Sequence, residues 1–307
     1  MDSITTSVAN KLRLKKPLMT TMLLLLLVMF TASVVDAACA TSCSASMCCS
    51  STGLCGPPKS VACGSNCISG PCTNEVTPYN VGLLGNYPLG RVVTLEMFDE
   101  LFPARLRSFY SYEAFILAAS AFPEFGTTGD VDMQKREVAA FLAHIQVETA
   151  GLSTIEARDT KDFCYLGVVE DISSACIAGK KYYPRGPMQL TWNYNYRRAS
   201  DSIGEDLLAK PELVSENPAI SFKTAFWVWM TPGLGLSKKP SSHAVMTQRS
   251  WSRSTAVESA TGFGATINIL KGETECGRAS AQAEKRTAAY LRATEVLGVA
   301  PGHNLRC

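Results

Sequence analysis

Apolar side chains recur at helical spacing through residues 133–151. Val138, Phe141, Leu142 and Ile145 fall on one face, behind a polar first turn of Gln134, Lys135, Arg136 and Glu137. Gly151 supplies a stop. Glu148 stands seven positions after Phe141 and three after Ile145, so it projects from the apolar face near the helix end. A carboxyl group there is partly desolvated and faces the negative end of the helix dipole. Both effects favour the neutral form that a general acid needs. The alternative is a glutamate that turns into solvent at a frayed end.

The same spacing predicts further helices. Ser111 caps one that runs through Ala121, with Tyr112, Phe115, Ile116 and Ala119 on one side. Another helical region starts at Pro211 or Glu212. Its Phe222, Phe226, Trp227 and Trp229 read as core, because paired tryptophans on a helix usually pack inward. Residues 240–243 read as a turn, and 262–272 lead into a helix over about 279–297. Residues 159–185 lack periodicity and read as irregular. From residue 93 onward the expected fold is mainly α.

The N-terminal third is different. Lys11, Arg13, Lys15 and Lys16 precede the apolar run 22–30, and Val35, Asp36 and Ala37 offer a small-residue cleavage site. Residues 1–37 therefore read as a signal peptide, with an uncleaved anchor as the alternative. Residues 38–72 hold Cys39, Cys43, Cys48, Cys49, Cys55, Cys63, Cys67 and Cys72 among Ser, Gly and Pro, with almost no large apolar side chain. Such a module depends on bridges instead of burial. Residues 73–92 carry several Gly and Pro and read as a linker.

Composition narrows the function. The chain has 307 residues, 46% of them hydrophobic, with 18% charged and a net charge of +2. That near-neutral balance argues against nucleic acid and fits a neutral polymer or small molecule. Cysteine counts are even in both regions, the later group being Cys164, Cys176, Cys276 and Cys307, which points to disulfides in an oxidising compartment. Zinc is disfavoured by the adjacent Cys48 and Cys49 and by the lack of paired CxxC spacing. His144, His243 and His303 show no metal-ligand spacing, and no nucleophile motif supports a Ser-His-Asp site. No metal is expected.

Two resemblances sharpen the reading. The order of cysteines around CCSSTGLCG resembles the hevein-like chitin-binding module. That module stacks sugar rings on aromatic faces, yet the corresponding positions are Thr52, Leu54 and Ala62 here. The scaffold resembles a chitin binder whose stacking platform is missing. Residues 93–307 carry, in order, FYSYEAFILAASAFPEFGTTG, QKREVAAFLAHIQVETAG, FCYL, YYPRGPMQLTWNYNY, KPSSHAV, FGATINI, GETECG and GHNLRC. Together they resemble the plant chitinases of glycoside hydrolase family 19, and the short loop before FCYL looks most like their shortened subclass.

The resemblance implies a two-lobed, lysozyme-like helical domain with a long cleft. It implies inverting hydrolysis of β-1,4-linked N-acetylglucosamine polymer, with no metal or organic cofactor. The two carboxyl groups of such an enzyme stand about 6.5–9.5 Å apart to admit a water. By resemblance Glu148 takes the acid role, with Val147 where the family has histidine; this implies more apolar surroundings for the acid. The base follows FCYL: Glu170 is the first choice and Asp171 the second. Gln189, Thr191, Tyr194 and Asn195 match substrate or water-positioning residues, and amides and hydroxyls suit a neutral sugar. The alternative for them is bonding within their own turn. Lys239 matches a basic cleft residue, and Glu275 and Arg286 match a charge network around the acid. Lys271 stands where the family has a cleft asparagine, and Pro184 where it has glycine. Cys276 with Cys307 matches a family bridge, and Cys164 is expected to bond Cys176. The expected molecule is a monomer whose partner is chitin or its oligomers, with no membrane contact once the leader is removed. With no residue after Cys307, no vacuolar extension is expected and the extracellular space is. A wall-associated, chitinase-like protein that binds glycan without cutting it is the competing function.

Overall fold

Phe141, from the stripe predicted on the first helix, lies at the centre of the core. Its ring stacks on Phe226 at 4.8 Å and meets Phe125 and Trp229 edge-on at 4.9 and 5.6 Å. Phe115 continues the cluster to Phe222, Phe226 and Phe98 at 5.5, 5.6 and 5.1 Å. Each such pair adds about 0.5–1.5 kcal/mol beyond its burial. All four residues read as core on the third predicted region, Phe222, Phe226, Trp227 and Trp229, are buried.

The computed structural model describes residues 48–50, 55–56, 67–69, 87–167, 175–234, 238–247 and 261–307. The chain divides into two units, Met1–Glu75 and Val76–Cys307. In the first, β1 (Cys48–Ser50), β2 (Cys55–Gly56) and β3 (Cys67–Ser69) form an antiparallel sheet in the order β2-β1-β3. Cys48 pairs with Gly56 and Cys49 with Cys55, while Ser50 lies opposite Cys67. The predicted leader, the aromatic-replacing Thr52, Leu54 and Ala62, and Cys39, Cys43, Cys63 and Cys72 lie outside the described residues.

The second unit is helical. A 3-10 turn, Pro88–Arg91, precedes α1 (Leu95–Leu101), α2 (Tyr112–Ala119) and α3 (Val131–Glu148). Then come α4 (Asn193–Ile203), α5 (Leu213–Glu216), α6 (Pro218–Met230) and α7 (Ser242–Thr247), followed by α8 (Phe263–Glu275) and α9 (Ala281–Val296). Ser111 accepts from Ala114 N, as its predicted cap role requires, and Asp130, Asn217 and Ser280 cap α3, α6 and α9 in the same way. Leu89 and Val92, at the end of the expected linker, are buried, so this unit's core takes them in. Helix α3 packs against α9, and α2 against α6.

Three local readings change. Residues 262–272, read as a lead-in to the last helix, make up most of a helix of their own, α8. Residues 240–243 are more than a turn, because His243 lies within α7. Glu137 does not lie in a polar first turn: α3 begins six residues earlier, at Val131, and Glu137 is fully buried. Its Oε1 accepts from Trp229 Nε1 at 3.0 Å and His243 Nδ1 at 2.6 Å, and its Oε2 accepts from Gly126 N at 3.0 Å. These bonds compensate a buried charge that would otherwise be expensive, and they tie α6 and α7 to α3. Burial disfavours the charged imidazole of His243, but the Glu137 carboxylate outweighs it and raises its pKa above the ordinary value. The two expected disulfides of this unit are formed, Cys164–Cys176 and Cys276–Cys307, with Cα separations of 6.0 and 5.1 Å.

Candidate active site

Glu148 is the last residue of α3, and the chain is locked immediately after it. The buried Thr149 donates its hydroxyl to Ile145 O at 2.7 Å and accepts from Leu152 N at 2.7 Å. Ala150, Gly151 and Leu152 then take positive φ angles of 49°, 77° and 58°, and Gly151 N closes on Gln146 O at 2.8 Å. Gly151 thus serves the exit as predicted. Fraying is blocked, and the Glu148 side chain is only 9% exposed.

Both carboxylate oxygens of Glu148 meet cations. Arg286 Nη2, from α9, donates to Oε1 at 2.5 Å, and Lys271 Nζ, from α8, donates to Oε2 at 3.0 Å. Arg286 also grips Glu275 with two bonds, Nε to Oε2 at 2.9 Å and Nη2 to Oε1 at 3.0 Å. Burial opposes the Arg286 charge, yet Glu275 and Glu148 outweigh it and raise its pKa above the ordinary value. A third contact comes from Arg286 Nη1 to His144 Nδ1 at 3.2 Å. A guanidinium can only donate, so Nδ1 accepts and the imidazole proton lies on Nε2. That nitrogen faces Thr266 Oγ1 at 2.8 Å, whose own hydrogen goes to Phe263 O at 2.7 Å. Complete burial, Arg286 and Lys271 together hold the His144 pKa well below its ordinary value, so the ring is neutral. Thr266, His144, Arg286, Glu275 and Glu148 form one satisfied chain of partners.

Among the described residues, the bonded neighbours of Glu148 are both cations. Val147 lines a separate cavity of about 480 Å³ with Gln146, Gln282, Lys285 and Ala289, and Glu148 is not among its lining residues. The bonds to Glu148 come from α8 and α9, and His144, one helical turn earlier, supports them. His144 had no assigned role in the sequence; its partners lie 122 and 142 residues away.

The QLTWNYNY segment is built on strained backbone. Gln189 and Trp192 have φ angles of 53° and 76°, which non-glycine residues rarely adopt. Gln189 Nε2 donates to Gly186 O at 2.9 Å, Thr191 Oγ1 to Gln189 O at 2.7 Å, and Asn195 Nδ2 to Thr191 O at 2.9 Å. These are the within-turn bonds named as the alternative, and all three side chains remain half-buried at the surface. Tyr194 is buried under Trp192, whose indole stacks on it at 6.2 Å with rings 7° apart. Trp192 is itself 37% exposed. Strain that presents an aromatic face outward suits sugar stacking, and this residue was overlooked although it sits inside the quoted motif. Burial, then Tyr165 and Glu273, raise the Tyr194 pKa.

Asn193 joins the motif to FCYL. Its Oδ1 accepts from Tyr165 N at 2.8 Å and its Nδ2 donates to Tyr165 O at 3.1 Å. With the Cys164–Cys176 bridge, this anchors both ends of the segment carrying Glu170 and Asp171, which themselves lie outside the described residues. Lys239 Nζ donates to Asn268 O at 2.6 Å and approaches Asn268 Oδ1 at 3.4 Å. It caps the first part of α8 just before a break at Lys271, where φ is −139° and ψ 15°. At Gly272 a Cβ would lie 2.3 Å from Asn268 Oδ1 and 2.9 Å from Lys239 Nζ, so the bare backbone leaves room for the Lys239–Asn268 contact.

Residues 92–307 match the glycoside hydrolase 19 family model, described as chitinase class I. The chain belongs to glycoside hydrolase family 19. Curated relatives of this family 19 chain include "Chitinase 3" of Oryza sativa subsp. japonica, 40% identical over 85% of this chain and 87% of that one. "Endochitinase 2" of Gossypium hirsutum is 41% identical over 86% and 91%. Among solved structures, chitinase C from Streptomyces griseus superposes with a TM-score of 0.60 at 38% identity, covering 71% of this chain and 81% of that one. A class IV family 19 chitinase from Zea mays gives 0.59 at 34%, covering 71% and 98%. The mainly α, lysozyme-like fold expected of the family 19 domain is the fold found. Among the described residues, no helix is long and apolar enough to cross a membrane.

Proposed function

We propose that this chain is a secreted endochitinase that cleaves β-1,4-N-acetylglucosamine linkages with inversion. Glu148 is the general acid and Glu170, or Asp171 beside it, the general base. The supporting observation is the seat of Glu148: a rigid helix end, nearly buried, with one oxygen held by Arg286 inside the Glu275–His144 network. In the reaction, the base takes a proton from water as the water oxygen bonds to the anomeric carbon. The glycosidic C–O bond breaks, and the departing oxygen takes the proton of Glu148.

Chitin or its oligomers are the substrate, bound along the Gln189–Thr191–Tyr194–Asn195 segment with Lys239 holding α8 in place. Export is supported by the leader pattern and by the formed disulfides. The hevein-like module contributes little affinity, because it lacks aromatic stacking residues.

Turnover of a soluble chitin oligomer by Glu170→Gln and Asp171→Asn tests the assignment of the base. Loss by about a hundredfold or more in one of them, with the fold intact, identifies it; full activity in both rejects the assignment. The second reading, a glycan binder without hydrolysis, is favoured by Lys271 on Oε2 of Glu148. Tight oligomer binding by wild type with no products would establish it.

A further inference from the structure

We propose that Lys271 is a displaceable cap on the acid: its ammonium occupies the position that the glycosidic oxygen must take, and substrate has to move it aside. This rests on the reading of Glu148 as the general acid.

The argument starts from the two oxygens of one carboxyl group. Oε1 is committed to Arg286, whose side chain is only 4% exposed and is fixed further by Glu275 and His144. A proton for the leaving group must therefore depart from Oε2. Lys271 Nζ lies 3.0 Å from that oxygen. An ammonium has donors only, so while it remains there Oε2 accepts and cannot give.

The two cations are not held alike. Arg286 is locked by partners from α3 and α8. Lys271 is 32% exposed, so water already reaches it, and its flexible stem springs from the break in α8. Lys239, bonded to Asn268 O, and Gly272 lie beside that break. Among the described residues, the charged and titratable groups bonded to Glu148 are Lys271 from α8 and Arg286 from α9, with Glu275 and the neutral His144 behind Arg286. Of these two cations, Lys271 holds Glu148 alone, through Oε2, whereas Arg286 also holds Glu275 and His144. A bound sugar chain supplies neutral carbonyl and hydroxyl acceptors that can take its hydrogen bonds in exchange.

The test uses the full-length secreted chain and a soluble chitin oligomer. Lys271→Met keeps the length of the stem without charge, and Lys271→Asn shortens it to an amide. Each is expected to raise kcat/KM roughly tenfold, since a competitor no longer has to be displaced. Glu148→Gln, alone or combined with Lys271→Met, should be inactive. If kcat/KM is unchanged in both Lys271 variants while Glu148→Gln is dead, the cap is overturned and the acid stands. A fall in kcat in both, with unchanged melting temperatures, also overturns the cap, because Lys271 would then assist turnover. Activity in Glu148→Gln would instead overturn the acid on which the cap depends.

Discussion

Arg286 and Glu148 meet at the junction of α9 and α3, and the same guanidinium holds both oxygens of Glu275. One cation thus fixes two carboxylates, each less than a tenth exposed. Breaking such an arrangement from one side costs about 3–5 kcal/mol, mostly from the charges left unpaired. Arg286→Lys should therefore lower stability by about 2–4 kcal/mol and cut kcat more than it raises KM. Denaturant unfolding and steady-state kinetics on the same preparation check both effects.

His144 and His243 make opposite demands on pH. The folded-state pKa of His144 is depressed, so unfolding takes up a proton below about pH 6.5, and stability falls as pH drops through that value. His243 is raised by Glu137, so its contribution is complete below about pH 6.5 and is lost as pH climbs through the higher folded value. Melting temperature measured from pH 4 to 9 should show that His243→Gln flattens the alkaline side and His144→Gln the acid side.

These two residues also mark what could be read without coordinates. The apolar stripes around Phe141 and Phe226, the Ser111 cap and the seat of Glu148 at a helix end are local patterns, and each is found in the fold. Glu137 looked like one charge of a solvated turn. Its partners Trp229 and His243 are 92 and 106 residues away, and no local periodicity encodes such a meeting. The same holds for Lys271, 123 residues from Glu148, which in the sequence only stands where the family has a cleft asparagine and in the fold contacts the acid itself. Trp192 was legible as an aromatic in the motif, but its outward face follows from a backbone angle that spacing does not show.

Thr149 locks the helix exit through a single hydroxyl. Thr149→Val keeps the volume and leaves Leu152 N–H without its acceptor, for a loss of about 1–3 kcal/mol. Activity should fall as well, since Glu148 is the preceding residue, and Thr149→Ser should restore both. Urea midpoints and oligomer turnover across the three proteins provide the check.

Trp192 presents its indole at the surface over Tyr194. Trp192→Ala should raise KM for a chitin oligomer about tenfold and leave kcat nearly unchanged. A fall in kcat alone would mean that the residue supports the fold of the segment and does not touch sugar.

The most direct measurement follows the anomeric signal of fresh products from a soluble chitin oligomer, by NMR, for wild type and Glu148→Gln. The account predicts that wild type releases α-anomer from the β-linked chain and that Glu148→Gln, folded and with the same melting profile, loses about a hundred- to ten-thousandfold in rate. β-Anomer as the first product, or a Glu148→Gln protein that cleaves as fast as wild type, would contradict it.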